Sequence, residues 1–138
     1  MKLFLMRHAD AEPMIDGKDS PGRKLTEKGR AQVSEAAKKL KVKETTFDVI
    51  LTSPYIRAVE TAEIVADELG LRGRLKKSAE LVPGSDISKL IHLMDKYRDK
   101  RNILFVGHEP DLGIFAGELL HLGAPRPLGK AEVVEVEI

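Results

Sequence analysis

The stretch LFLMRHADAEP, residues 3–13, decides how this chain is read. Leu3-Phe4-Leu5-Met6 is a short apolar run of the kind that forms a buried strand. It ends abruptly on Arg7-His8, two side chains that are costly to bury without partners. An apolar strand that runs out into cationic and titratable groups suggests a rigid support carrying a site at its end. Four further runs of the same length class follow. The predicted strands are Lys2–Met6, Asp48–Thr52, Arg74–Ser78, Asn102–Val106 and Glu132–Glu137.

Helical patterns fill the intervals. Thr26 is placed to cap a helix whose apolar side is Val33, Ala36, Ala37 and Leu40. Ser53-Pro54 reads as an N-cap followed by an N1 proline, ahead of Ala58, Ala62, Val65 and Leu69, with Gly70 as the stop. Ile87, Leu90, Ile91 and Met94 repeat the spacing. So do Leu112, Phe115, Ala116, Leu119 and Leu120, with Gly123 expected to end that helix. Alternating strands and helices predict an α/β fold: three α/β/α layers around a mostly parallel sheet of about five strands. The last run alternates apolar and charged residues, which suits an antiparallel edge strand. Pro13 to Lys24 is the longest irregular stretch, a length often associated with function.

The chain has 138 residues, and one domain spanning 1–138 is expected. Its net charge of +1 offers no large positive field, so no nucleic-acid partner is expected. With no cysteine, thiolate, disulfide and iron–sulfur chemistry are excluded. No run approaches the ~18 apolar residues of a membrane span, and none has a leader's length. The chain is therefore expected in the cytoplasm, away from membranes.

Open α/β sheets bind ligands beyond the carboxyl ends of their strands. The first strand delivers Arg7-His8. The second delivers a helix start with Arg57 near its beginning. The third leads to Glu80, and the fourth delivers His108 after Gly107. A helical Arg near the first turn leans back over the helix start, where free N–H groups already favour an anion. Arg7 and Arg57 are thus placed to fork onto phosphate oxygens. His92 and His121 lie on helices without such context and are expected to be structural or surface residues. Asp10 and Glu12 are expected to be loop carboxylates. GAPRPLGK, residues 123–130, is not a Walker A loop. Its spacing is one residue too long, no Ser or Thr follows Lys130, and a helix precedes it. Two arginines beside two histidines would repel a metal cation, and no metal or cofactor is expected.

These motifs, in order, resemble the histidine phosphatase superfamily of phosphoglycerate mutase-like fold. Arg7-His8 matches its RHG-type signature, with Ala9 in place of the commoner glycine. RKLTEKG (23–29), TSPYIRAVETA (52–62), AELVPGSD (79–86) and VGHEPDLG (106–113) extend the likeness over nearly the whole chain. It is most similar to the small SixA-type phosphohistidine phosphatases, which carry no cap insertion. The resemblance implies a metal-independent phosphatase with His8 as nucleophile and a phosphohistidine intermediate. Arg7, Arg57 and a protonated His108 would hold the phosphoryl oxygens, and Arg23 would be an accessory phosphate contact. Glu80 is the preferred general acid, with Glu109 as the alternative. The implied substrate is phosphohistidine on a partner protein, such as a histidine-containing phosphocarrier domain. Small phosphate esters or sugar phosphates are the alternative, and a non-catalytic phosphate-binding module on the same fold is the third reading.

Overall fold

The computed structural model describes residues 1–138. Its elements run β1 (Lys2–Arg7), α1 (Glu27–Val42), β2 (Val49–Thr52), α2 (Ile56–Leu69), β3 (Leu75–Lys77), α3 (Ile87–Lys96), β4 (Asn102–Gly107), α4 (Asp111–Leu119) and β5 (Val133–Glu137). Short 3-10 turns flank β3 at Arg72–Arg74 and Ala79–Leu81. The strands form one sheet in the order β3-β2-β4-β1-β5. The β3–β2, β2–β4 and β4–β1 pairs are parallel, and β5 joins the β1 edge antiparallel. All five expected strands are present, each within a residue or so of its expected ends.

The side-chain alternation of the strands divides the core into two halves. Leu3 and Leu5 of β1, with Ile103 and Phe105 of β4, pack against Leu90, Leu93 and Met94 of α3 and Leu112 and Phe115 of α4. Phe4 and Met6, with Leu104 and Val106, face the opposite way onto Val33, Ala37 and Leu40 of α1 and Ala58, Ala62 and Val65 of α2. A period of two along each strand therefore makes a sheet covered on both faces. β5 is the exception that its sequence predicts: Val134 and Val136 point into the core while Glu135 and Glu137 are exposed.

Local signals account for most helix ends. Thr26 caps α1, its hydroxyl accepting from the Gly29 N–H at 3.0 Å. Gly70 ends α2 in the left-handed region, where a glycine carries no Cβ penalty. Two expected boundaries move. Helix α2 starts at Ile56 with Tyr55 as its cap, so Ser53 is not the cap. Helix α4 ends at Leu119 rather than running to Gly123. His121 has already turned to φ 54, which breaks the helix before the glycine is reached.

Candidate active site

The parallel pairing brings the chemistry together. In register, Arg7 lies opposite Gly107, so His8 and His108 leave adjacent strand ends side by side. The His8 N–H then donates to the Gly107 carbonyl at 3.0 Å, and the Ser53 N–H to the Val106 carbonyl at 3.0 Å. These main-chain bonds extend the ladder one residue past β1 and β2 and fix His8 and Ser53 on rigid backbone. The two imidazole centroids are 5.2 Å apart. Arg7, His8, Asp19, Arg23, Arg57, His108, Glu109 and Lys130 are among the residues that line a cavity of about 260 Å³ there.

His8 Nδ1 lies 2.8 Å from the carbonyl oxygen of its neighbour Ala9. A carbonyl can only accept, so Nδ1 carries the proton and Nε2 keeps its lone pair. Nε2 receives the Arg57 Nε–H at 3.3 Å. Arg57 is 3% exposed, and its guanidinium also donates from Nη1 to the Ser20 carbonyl at 3.2 Å and from Nη2 to Asp19 Oδ2 at 2.7 Å. Arg7 gives Nη1 to the Leu128 carbonyl at 3.3 Å. His108 holds Ser53 Oγ with Nε2 at 2.8 Å, and the edge of Tyr55 packs on its ring. Arg7 Nε and His108 Nδ1 are buried with no hydrogen-bond partner. A buried polar nitrogen left so costs about 1–3 kcal/mol. Both belong to residues that line the cavity.

The electrostatics follow from burial among cations. Desolvation, aided by the charges of Arg57, Arg7 and Arg23, lowers His8 to about 4 against the opposing bond to Ala9. Desolvation, then His8 and Arg57, lower His108 to about 3. Both rings are therefore neutral at pH 7. The protonated His108 that the resemblance implies is therefore disfavoured in the free protein, by burial first and by the neighbouring His8 and Arg57 after it. Asp19 shows the opposite sign. Partial burial raises it, but hydrogen bonds from Arg57 and Arg23 prevail and hold it near 2.

The structure brings Arg7, His8, Arg57, His108 and Arg23 to this cavity and leaves Glu80 outside it. Glu80 sits on the turn after β3, where its carboxylate pairs with Lys96 at 3.4 Å. Glu109 does line the cavity, yet both its oxygens are engaged by backbone. Oε1 accepts from the Gly113 N–H at 2.6 Å and Oε2 from the Leu128 N–H at 3.2 Å. Arg23 donates to Asp19 and to the Glu12 carbonyl. Sequence reasoning missed Asp19, Ser53 and Lys130 as members of the site. Ser53-Pro54 drew notice only as a helix start, and the length of the 13–24 loop was the sole signal for Asp19. His92 and His121 are exposed, as expected. Asp10 joins the Thr26 hydroxyl to Lys130 Nζ, each at 2.6 Å.

Comparison with known proteins agrees with this geometry. Residues 3–81 match the family model described as histidine phosphatase superfamily, branch 1. The phosphohistidine phosphatase SixA of Escherichia coli K12 is 30% identical over 121 residues, 86% of this chain and 74% of that protein. A 2,3-bisphosphoglycerate-dependent phosphoglycerate mutase of Rhodopseudomonas palustris is 43% identical over 75 residues, but that covers 51% of this chain and 35% of the mutase. In three dimensions, a structure of the protein histidine phosphatase SixA complexed with tungstate superposes with a TM-score of 0.87 at 28% identity, over 100% of this chain and 88% of the other. No helix is long and apolar enough to cross a membrane. The chain therefore belongs to the histidine phosphatase superfamily, branch 1, and is a phosphatase.

Proposed function

We propose that this phosphatase removes the phosphoryl group from phosphohistidine on a partner protein, through a covalent intermediate on His8 Nε2. One observation carries the reading: the unprotonated nitrogen of His8 is met by the Arg57 guanidinium in a cavity that Arg7 and His108, each with an unpartnered buried nitrogen, also line. The lone pair of His8 Nε2 attacks phosphorus in line as the substrate's N–P bond breaks. The bonding pair goes to the departing imidazole, which takes a proton from solvent. Water then attacks the same phosphorus, the pair of the Nε2–P bond returns to His8, and inorganic phosphate leaves. Arg7 and Arg57 hold the equatorial oxygens while charge redistributes. Positioning and charge stabilisation are most of what phosphoryl transfer requires. His108 is neutral beforehand, and with the Ser53 hydroxyl donating to Nε2 its Nδ1–H is the donor it contributes, rather than a fixed positive charge.

The leaving group discriminates between substrates. An alkoxide needs a strong acid beside it, whereas an imidazole of pKa ≈ 6.5 protonates itself near neutral pH. The cavity supplies no such acid: Asp19 is held near 2, and both Glu109 oxygens already accept N–H groups. Glu80, tied to Lys96 away from the cavity, is not assigned the role. The likeness to SixA of E. coli and the tungstate complex of a SixA, a tetrahedral oxyanion on the same fold, support the same reading.

Turnover of a phosphohistidine-bearing protein, measured beside a panel of small phosphate esters, tests this. His8→Ala is expected to abolish release of phosphate and labelling of the chain by the phosphoryl group, while a chelator leaves the rate unchanged. Full turnover by the variant, or a far higher kcat/KM on any small ester, would overturn the proposal. Binding without turnover on every substrate would favour a non-catalytic module.

A further inference from the structure

Arg57 and Arg23 already hold an anion that belongs to the chain. Asp19 places one carboxylate oxygen on each of them: Oδ2 accepts from Arg57 Nη2 at 2.7 Å and Oδ1 from Arg23 Nε at 2.9 Å. The carboxylate is preset for this, since Oδ1 also accepts the Ser20 N–H at 2.7 Å. Its partners are unequal. Arg57 is buried at 3% exposure on the rigid helix α2, whereas the Asp19 side chain is 36% exposed on the loop between β1 and α1. That loop has no regular element, only isolated bridges at Ala11–Leu25 and Ile15–Lys18, so it is the side of the contact able to give way. Asp19 itself lines the cavity that contains His8 and His108. A carboxylate bridging two guanidiniums presents one oxygen to each, as two oxygens of a phosphoryl group could.

We propose that Asp19 is an internal competitor for the oxyanion site, occupying Arg57 and Arg23 until the phosphoryl group displaces it and returning as phosphate departs. It is a positioning residue that sets oxyanion affinity and helps product release. The inference rests on the phosphate-site reading above. Its energetic logic is simple. The buried Arg57 would otherwise face the cavity with its charge unpaired, which is costly. Asp19 removes that cost in the free protein, so an entering phosphate gains only the difference between two anions. Weaker retention of product follows, because the same difference opposes its staying.

The test is equilibrium binding of inorganic phosphate and of tungstate by calorimetry, on the wild-type chain, Asp19→Asn, Asp19→Ala and Arg57→Ala. Removing the competing charge is expected to tighten both anions by roughly twofold to fivefold in both Asp19 variants, the range of a partly exposed ion pair. Arg57→Ala should bind neither. The same tightening should appear as a lower inhibition constant for phosphate during turnover. Unchanged or weaker anion binding in both Asp19 variants, with binding in the wild type intact, overturns the inference and leaves the phosphate site standing. Anion binding that is the same in Arg57→Ala as in the wild type overturns the phosphate site itself. Two Asp19 variants guard against misfolding, since a purely structural role for the loop predicts weaker binding in both.

Discussion

Arg57→Lys keeps the charge and removes the fork, and its consequence is worked from three contacts. The guanidinium reaches His8 Nε2, the Ser20 carbonyl and Asp19 with three different nitrogens. A lysine ammonium offers one nitrogen at the end of a flexible stem and can replace about one of them. The charge remains, so Asp19 is not left unpaired and folding should survive, with the melting temperature within a few degrees of wild type. Catalysis should not survive intact. Each oxyanion donor lost in the transition state is worth ~3–4 kcal/mol, or roughly 10²–10³ in rate. Because the fork matters most when the phosphoryl oxygens spread into the equatorial plane, kcat should fall more than KM rises. Steady-state kinetics on a phosphohistidine-bearing protein, with a melting curve on the same sample, separates the two effects. A kcat/KM within about threefold of wild type would refute the claim that bidentate geometry, and not charge alone, is what Arg57 supplies.

Acid should reveal both histidines. Their pKa values of about 4 and about 3 lie below 6.5, so between 6.5 and those values the unfolded chain binds protons that the folded chain does not. Stability should therefore be level above pH 6.5 and fall as pH drops from 6.5 towards 3–4. The free enzyme should correspondingly keep His8 as neutral imidazole at pH 5. Histidine ring resonances followed by NMR, with melting curves across the same range, check this; titration of His8 near 6.5 would contradict it. Gly29→Ala on α1 sets two effects against each other. Helix propensity favours alanine by ~1 kcal/mol. The added Cβ, however, would meet the Asp10 carbonyl oxygen at 2.0 Å, where backbone must move at about 1–3 kcal/mol or more. The melting temperature should drop by about 2–8 °C, and a rise would show that the loop yields freely.

Much of the fold was legible because the strands are short and apolar and their ends are marked by polar residues. Leu3 to Met6 and Ile103 to Val106 read as buried strands, and the alternation of such strands with helices already implied a sheet covered on both faces. What misled was local chemistry with two uses. Ser53 before Pro54 has a cap's sequence, but its hydroxyl takes the Tyr55 N–H and His108 Nε2 instead, and the helix begins two residues later than a Ser53 cap implies. Glu80 follows β3 as expected, yet it does not line the cavity and its carboxylate pairs with Lys96 at the end of α3, a tertiary contact that spacing alone does not reveal. Asp19 is the clearest omission. Nothing in the order of residues 13–24 tells that this carboxylate, rather than Asp10, Glu12 or Asp16, meets Arg57 some 38 positions on.

The site's charge state ties these details together. A histidine nucleophile must be neutral, yet the group it attacks is a dianion that must be held by cations. Those demands conflict only if the cations are remote or the histidine is wet. Here burial lowers His8 most and the charges of Arg57 and Arg7 add to it, so in the proposed mechanism the groups that would bind phosphate also keep the nucleophile neutral. The cost is a cavity with unpaired positive charge, and Asp19 offsets it from a loop that can move. The same arrangement holds Asp19 ionised, while both Glu109 oxygens accept backbone N–H groups. Under the proposed function, a leaving group that takes up its own proton is favoured by the same charges that keep His8 neutral, with no separate specificity pocket required.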